Sequence, residues 1–474
     1  MSRFISYLQQ FGRFTRNARL YLISNALSGV TTGILLVLYN LYLASLGYKA
    51  DFIGLALFAA TIGAGIAIFP AGFCVDRYSG KAILIWSNLL IGAAGIGQIL
   101  FRQPLPLLVS GFIAGMAFAF VLVINAPFLT RNSEPAERPH LFSLNIVLGL
   151  VTTVVGSVIG GTLPLWFRAI PWFMAPLPPW SAWLLAVQAN PRSFQLSLLF
   201  AGVISGPSLI PLFLLREPRR PVPYPYPQPR TPARGVPTMD DDGAFVHSRG
   251  IPRGYPGVET GNPGLVSSLR HIIPLTLMRL RAAPGSPMYV LSLVQVFIGA
   301  GAGLFINYFN LYFVNYLHSS SALFGVLNGG TIAIAAVCTL AAPWLAQRIG
   351  RVNAIALTQL ASIPLLITLG LTTMLPLAAL CFLFRQGLMD MSNGVLQVFS
   401  MEVVPEQHRG IANSSYQVAF QVPGALTAPL GGLLIANVGY TPIFLGAAAC
   451  YLLAIGTLWG KYGRGKEPHL VSPK

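Results

Sequence analysis

GFCVDRYSGK, Gly72 to Lys81, is a short polar turn set between two long apolar stretches, and a degraded copy, APWLAQRIGR, runs from Ala342 to Arg351. Setting Gly80-Lys81 over Gly350-Arg351 gives a shift of 270 residues. The same shift, taken without a gap, places Gly33 on Gly303, Asn40-Leu41-Tyr42 on Asn310-Leu311-Tyr312, Thr61-Ile62 on Thr331-Ile332, Leu90 on Leu360 and Pro135 on Pro405. Self-similarity at a fixed period is the mark of a repeat architecture, so the chain reads as a tandem duplication.

The composition names the medium. Hydrophobic residues make up 54% of the 474 and charged residues only 9%, which is a membrane composition. A bilayer core of about 30 Å takes roughly 20 apolar residues per helix. Twelve runs meet that length, at 19–46, 51–75, 82–101, 105–131, 141–168, 194–216, 286–317, 321–347, 352–372, 375–402, 409–437 and 440–461. The expected fold is therefore an all-α polytopic membrane protein of two six-helix bundles. The bundles are expected at residues 1–216 and 286–462, separated by a linker at 217–264 and a surface helix at 265–285, with a tail at 463–474.

The formal charge of +17 would point a soluble chain towards nucleic acid. Its distribution points elsewhere: of the 30 Lys and Arg, 25 fall on the side of the termini, against Lys49, Arg102, Arg168 and Arg192 on the other and Arg385 within a span. Basic residues collect on the cytoplasmic side. The expectation is a multi-pass protein of the cell inner membrane with both termini cytoplasmic and no nucleic-acid partner. Met1 to Arg19 carries four arginines and no apolar core, so no cleavable signal peptide is expected and the first span serves as the targeting signal.

The linker EPRRPVPYPYPQPRTPARGVP alternates proline with polar and aromatic residues, which favours extended polyproline II. From Leu265 to Arg281, apolar residues face Arg270, Arg279 and Arg281, and the segment around Phe4, Leu8 and Phe11 is similar. Both fit amphipathic helices on an anionic inner leaflet. Between spans 5 and 6, Trp172, Trp180 and Trp183 sit among prolines, as expected of a cap in the outer interface. Four cysteines inside or beside apolar runs read as packing residues. There is no Walker glycine loop, no metal-spaced His or Cys cluster and no Gly-x-Ser-x-Gly elbow, so neither an enzyme nor a bound cofactor or metal is expected.

The stretch from Gly72 to Lys81 resembles the signature of the major facilitator superfamily, G-x-x-x-D-R-x-G-R-R/K between spans 2 and 3. Gly72, Asp76, Arg77 and Lys81 match in place, while Ser79 and Gly80 depart; in the second copy Arg348, Gly350 and Arg351 match, with Pro343 for the first glycine and Gln347 for the aspartate. The resemblance covers the whole chain. It implies a latch between the halves at these loops, a central cavity lined by spans 1, 4, 7 and 10, and transport by rocking of the halves. On physical grounds Gly72 would let two helices approach, Arg77 and Lys81 would pair with carboxylates or lipid phosphates, and Glu402 and Arg409 would brace the gate with Arg348 and Arg351.

Within span 10, Arg385 is ten residues from Leu375, about 15 Å down the helix. Asp390 lies one to two turns deeper. An intramembrane charge costs at least about 2.5–3.5 kcal/mol unless it faces protein or water, which makes both functional candidates. Gln386, Asp390, Asn393 and Gln397 share one stripe, and Asp390 is about 140° from Arg385 on the wheel, so direct pairing between the two is not expected. Asn40, Asn310 and the deeper Asn307 on spans 1 and 7, and Asn125 on span 4, complete the candidate substrate and ion set. Spans 5 and 11 carry Gly156, Gly160, Gly161 and Gly424, Pro429, Gly431, Gly432, which close helix packing explains. The expected activity is secondary active transport of a small organic solute by a monomer. Proton-coupled efflux stands ahead of uptake of an organic anion, and a non-transporting receptor or scaffold using the linker is the alternative.

Overall fold

The computed structural model describes residues 14–134, 137–176, 178, 184–216, 286–404 and 409–463. The proline-rich linker, the surface helix at 265–285, the N-terminal amphipathic segment, Trp180, Trp183 and the tail beyond 463 lie outside the described residues. The two bundles together form one unit.

Twelve long helices account for the described residues: α1 Arg16–Ser45, α2 Ala50–Arg77, α3 Gly80–Leu100, α4 Pro104–Arg131, α5 Arg138–Ala169, α6 Ala189–Phe213, α7 Pro287–Tyr316, α8 Ser321–Ile349, α9 Arg351–Leu371, α10 Leu375–Glu402, α11 Arg409–Asn437 and α12 Thr441–Tyr462. Their starts are coded locally. The side chains of Thr15, Ser79, Ser286 and Ser320 accept hydrogen bonds from the first-turn N–H groups of α1, α3, α7 and α8, satisfying donors that have no intrahelical partner. Eleven helices are long and apolar enough to cross a membrane; α10, the helix of Arg385 and Asp390, is the twelfth and the exception. Large apolar side chains such as Leu36, Trp86 and Leu340 lie 56%, 72% and 83% exposed, as a lipid-facing surface requires.

In the N-terminal bundle α1 packs on α5 and α6, and α2 and α3 pack on α4; in the C-terminal bundle α7 packs on α11 and α12, and α10 on α8 and α9. The bundles meet through α2 against α11 and α5 against α8. The two halves repeat the same order and packing of elements, but not at one gap-free shift. Asn40 stands on Asn310, 270 residues apart, whereas Ala50 stands on Ser321, Arg77 on Arg348 and Gly161 on Gly432, each 271 apart. The match of Thr61-Ile62 to Thr331-Ile332 is therefore not the structural equivalence. The register changes at α7, which leaves α-helical geometry for a 3-10 turn at Ile306–Tyr308 and a π turn at Tyr312–Tyr316. A π turn is the ordinary way a helix absorbs one inserted residue. Its counterpart α1 runs unbroken to Ser45.

Candidate functional site

At the end of the bundles opposite the termini, the halves are stitched together. Asn40 donates from Nδ2 to the backbone carbonyl of Asn307 (2.6 Å) and to Asn310 Oδ1 (3.3 Å), and Asn310 returns Nδ2 to the carbonyl of Val37 (3.2 Å). Asn40 is 7% exposed and Asn310 3%. Both asparagines are thus spent on joining α1 to α7, and of the three only the Asn307 side chain is left exposed. Beside this seam, Ser321 Oγ donates to the Gly161 carbonyl (2.8 Å) and Asn328 Nδ2 to Ser157 Oγ (3.0 Å).

Glycines permit the approach. A Cβ on Gly161 would strike the Ser321 carbonyl, and one on the equivalent Gly432 would strike the Ala50 carbonyl, which is the Ser321 contact repeated in the other half. Gly54 against Ala428 and Gly325 against Ser157 repeat one another likewise. Gly156, Gly160, Gly424 and Gly431 instead let α5 and α11 close on α1 and α7 within their own bundles.

The end bearing the termini is arranged differently. A Cβ on Gly72 would meet nothing within 4 Å, so the close approach expected there is absent in this conformation. Arg77 lies exposed over the ring of Phe73 on its own helix (4.1 Å), and Arg348 does the same over Trp344 (4.5 Å). Both cations thus stay within their own half, and the Asp76 side chain lies outside the described residues. Lys81 donates to the carbonyls of Phe213 (2.6 Å) and Leu215 (2.8 Å) at the end of α6. A cation there satisfies carbonyls at a helix C-terminus. Gly350 forms the whole turn between α8 and α9 with φ of +86°, a conformation that favours glycine. Glu402 pairs with Arg351 within the C-terminal half; the Arg409 side chain lies outside the described residues.

Deep in the C-terminal bundle the polar residues of α10 form a string. Arg385, 1% exposed, donates through one Nη to Tyr451 Oη on α12 (2.9 Å) and through the other to Gln386 Oε1 (2.9 Å). Gln386 passes its Nε2 to Asp390 Oδ2 (3.0 Å). The guanidinium also lies 4.7 Å from the centroid of Phe305 on α7, where a cation is attracted to the ring face. Arg385 and Asp390 do not touch, as their wheel angle requires, but Gln386 links them. Asp390 thereby belongs to this string and not to the gate loop. Asn393 and Gln397, further along the stripe, are exposed. The equivalents of Arg385, Gln386 and Asp390 in α4 are Ala114, Gly115 and Ala119, so only one half carries the string.

Two partners of this string escaped the sequence reading, because Tyr451 and Phe305 inside apolar runs look like any lipid-facing aromatic. So did Gln359 on α9, wholly buried with neither amide atom bonded among the described residues. Asn125 Oδ1 is likewise buried and without such a partner. Among the described residues no group of three or more His, Cys, Asp or Glu could hold a metal.

The Major Facilitator Superfamily model matches residues 21–384 and, in a second register, 291–473. A curated relative, the uncharacterized MFS-type transporter YfkF of Bacillus subtilis (strain 168), is 29% identical over 164 residues, which is 33% of this chain and 40% of that protein. The match thus spans well under half of that relative. Among solved structures, the chain is similar to the nucleoside transporter NupG (TM-score 0.67, 12% identity, 94% of this chain and 99% of that one). It is also similar to a bacterial homolog of the human lysosomal transporter Spinster in an inward-facing, occupied conformation (0.66, 14%, 96% and 98%). A third similarity is to a D-xylose-proton symporter (0.62, 16%, 94% and 97%). At these identities the likeness is one of fold. Family model, fold and repeat agree on a multi-pass membrane protein, and the chain belongs to the major facilitator superfamily.

Proposed function

We propose that this chain is a secondary active transporter that moves a small organic solute across the cell inner membrane by alternating access. In this reading both termini are cytoplasmic and the stitched end faces outward. The observation that carries this reading is the string Arg385, Gln386, Asp390 in α10 of one bundle, beside a seam that shuts the opposite end. Charges at membrane depth mark substrate or proton paths.

The polarity of the string supports coupling to protons. Asp390 is its terminal acceptor, so a proton on Asp390 removes the charge that holds the Gln386 amide, and Gln386 in turn positions Arg385. Proton-coupled export is the leading direction. Uptake of an organic anion is the second, favoured by the Nε of Arg385, which is buried and has no hydrogen-bond partner among the described residues. A thermal-shift screen of the purified chain against a solute panel at two pH values finds a substrate, because a ligand of the native state raises its apparent stability. With that solute in proteoliposomes, Asp390→Asn is expected to abolish proton-driven accumulation while sparing solute exchange. Unchanged proton dependence in that variant contradicts the assignment.

A further inference from the structure

At the stitched end, a cavity of about 330 Å³ lies between the last turns of α1 and α5, the start of α6 and the connection from α7 to α8. Its walls come from both bundles: Ser45, Arg168 and Asn190 from one, Asn315, Ser319 and Ser321 from the other. Among the described residues the lining holds one cation, several hydroxyls and amides, and no carboxylate. The Arg168 guanidinium, exposed at the mouth of the cavity, donates from Nε to Ser193 Oγ (3.1 Å) and from one Nη to Asn190 Oδ1. A guanidinium oriented by neutral partners keeps its full charge for a ligand. Ser321, the first residue of the 29-residue α8, adds the positive end of a helix dipole.

The repeat shows that the fold does not require this cavity. At the equivalent place in the other half, Tyr316 stands where Ser45 does, and α11 ends at Asn437, short of the position that would correspond to Arg168. There the Tyr316 and Tyr440 rings pack at 5.1 Å, and Tyr312 stacks on Tyr316 at 5.6 Å. One copy of the junction is therefore filled with aromatic rings, and the other is hollow, polar and cationic.

We propose that this cavity is a binding site for a small oxyanion, a phosphate- or carboxylate-bearing group, separate from the α10 string. Because its walls come from both bundles, the bound oxyanion ties the halves together and holds the stitched end shut. The group comes either from a free anion or from a lipid headgroup.

The test is thermal unfolding of the purified full chain titrated with inorganic phosphate, against sodium chloride at matched ionic strength, and separately with dioctanoyl phosphatidylglycerol. Wild type is expected to show a saturable rise in melting temperature. Arg168→Gln, which removes the charge, and Ser45→Tyr, which fills the cavity as Tyr316 fills its counterpart, are each expected to raise the half-saturating concentration at least tenfold. A shift with phosphate identifies a free oxyanion, and one with the lipid alone identifies a headgroup; either supports the site when the variants weaken it. No saturable shift with either probe, or shifts of equal midpoint in both variants, overturns it. If Ser45→Tyr does not fold, Arg168→Gln decides alone.

Discussion

Arg385 is a full charge held 1% exposed among aromatic rings, bonded to a tyrosine and an amide but to no carboxylate. Removing this charge removes its desolvation penalty but leaves the Tyr451 hydroxyl and the Gln386 amide without their partner, and an unpaired buried polar group costs about 1–3 kcal/mol. Arg385→Met is therefore expected to lower the melting temperature modestly and to abolish transport; lost stability with transport retained would make Arg385 a structural brace. Tyr451→Phe removes one charged hydrogen bond and is expected to cost about 1–2 kcal/mol in reversible unfolding. Arg385 and Asp390 were legible in the sequence because a charge in an apolar run cannot hide. Their partners Tyr451 and Phe305 were not, since membrane helices are apolar on every side and periodicity no longer separates buried from lipid-facing aromatics.

Among the helices, the seam between the bundles is where conformational change must act. Gly161 and Gly432 sit against backbone carbonyls of the opposite half, where no rotamer change makes room for a methyl group. Alanine at both is expected to force this end apart, so that a single cysteine placed at Ser45 reacts at least several-fold faster with a membrane-impermeant maleimide than in the parent. An unchanged labelling rate would mean that the seam is not a gate. The glycines were visible as packing residues, but which of them join bundles and which pack within one depends on helix azimuth, which a list of small residues does not encode. The repeat was legible for the same reason it was slightly misread. Identical residues sit at a shift of 270 through the triplets, yet α8 to α11 each start 271 residues after α2 to α5, with the 3-10 and π turns of α7 lying between. Helix geometry, and not residue identity, absorbs the insertion.

At the scale of the whole molecule, span number, span order and the duplication followed from hydropathy and spacing, because a bilayer leaves the backbone few alternatives. Which end is closed did not, since one sequence must support both states of a rocking machine. A transporter needs no signal through the proline-rich linker, so deleting Pro221 to Pro237 is expected to leave solute flux within about twofold of wild type, by a factor that corresponds to roughly 0.4 kcal/mol. Loss of all measurable flux would favour a role for the linker in the cycle. The central claim is that the two ends open in alternation under control of Asp390. It is tested most directly by pulsed electron spin resonance on the chain in liposomes, with spin labels at Lys49 and Val438 across the stitched end and at Tyr78 and Gln347 across the other. The account expects two distances for each pair, with populations that shift in opposite directions between pH 8 and pH 5 and cease to shift in Asp390→Asn. A single distance at each end, indifferent to pH and to Asp390, would contradict it.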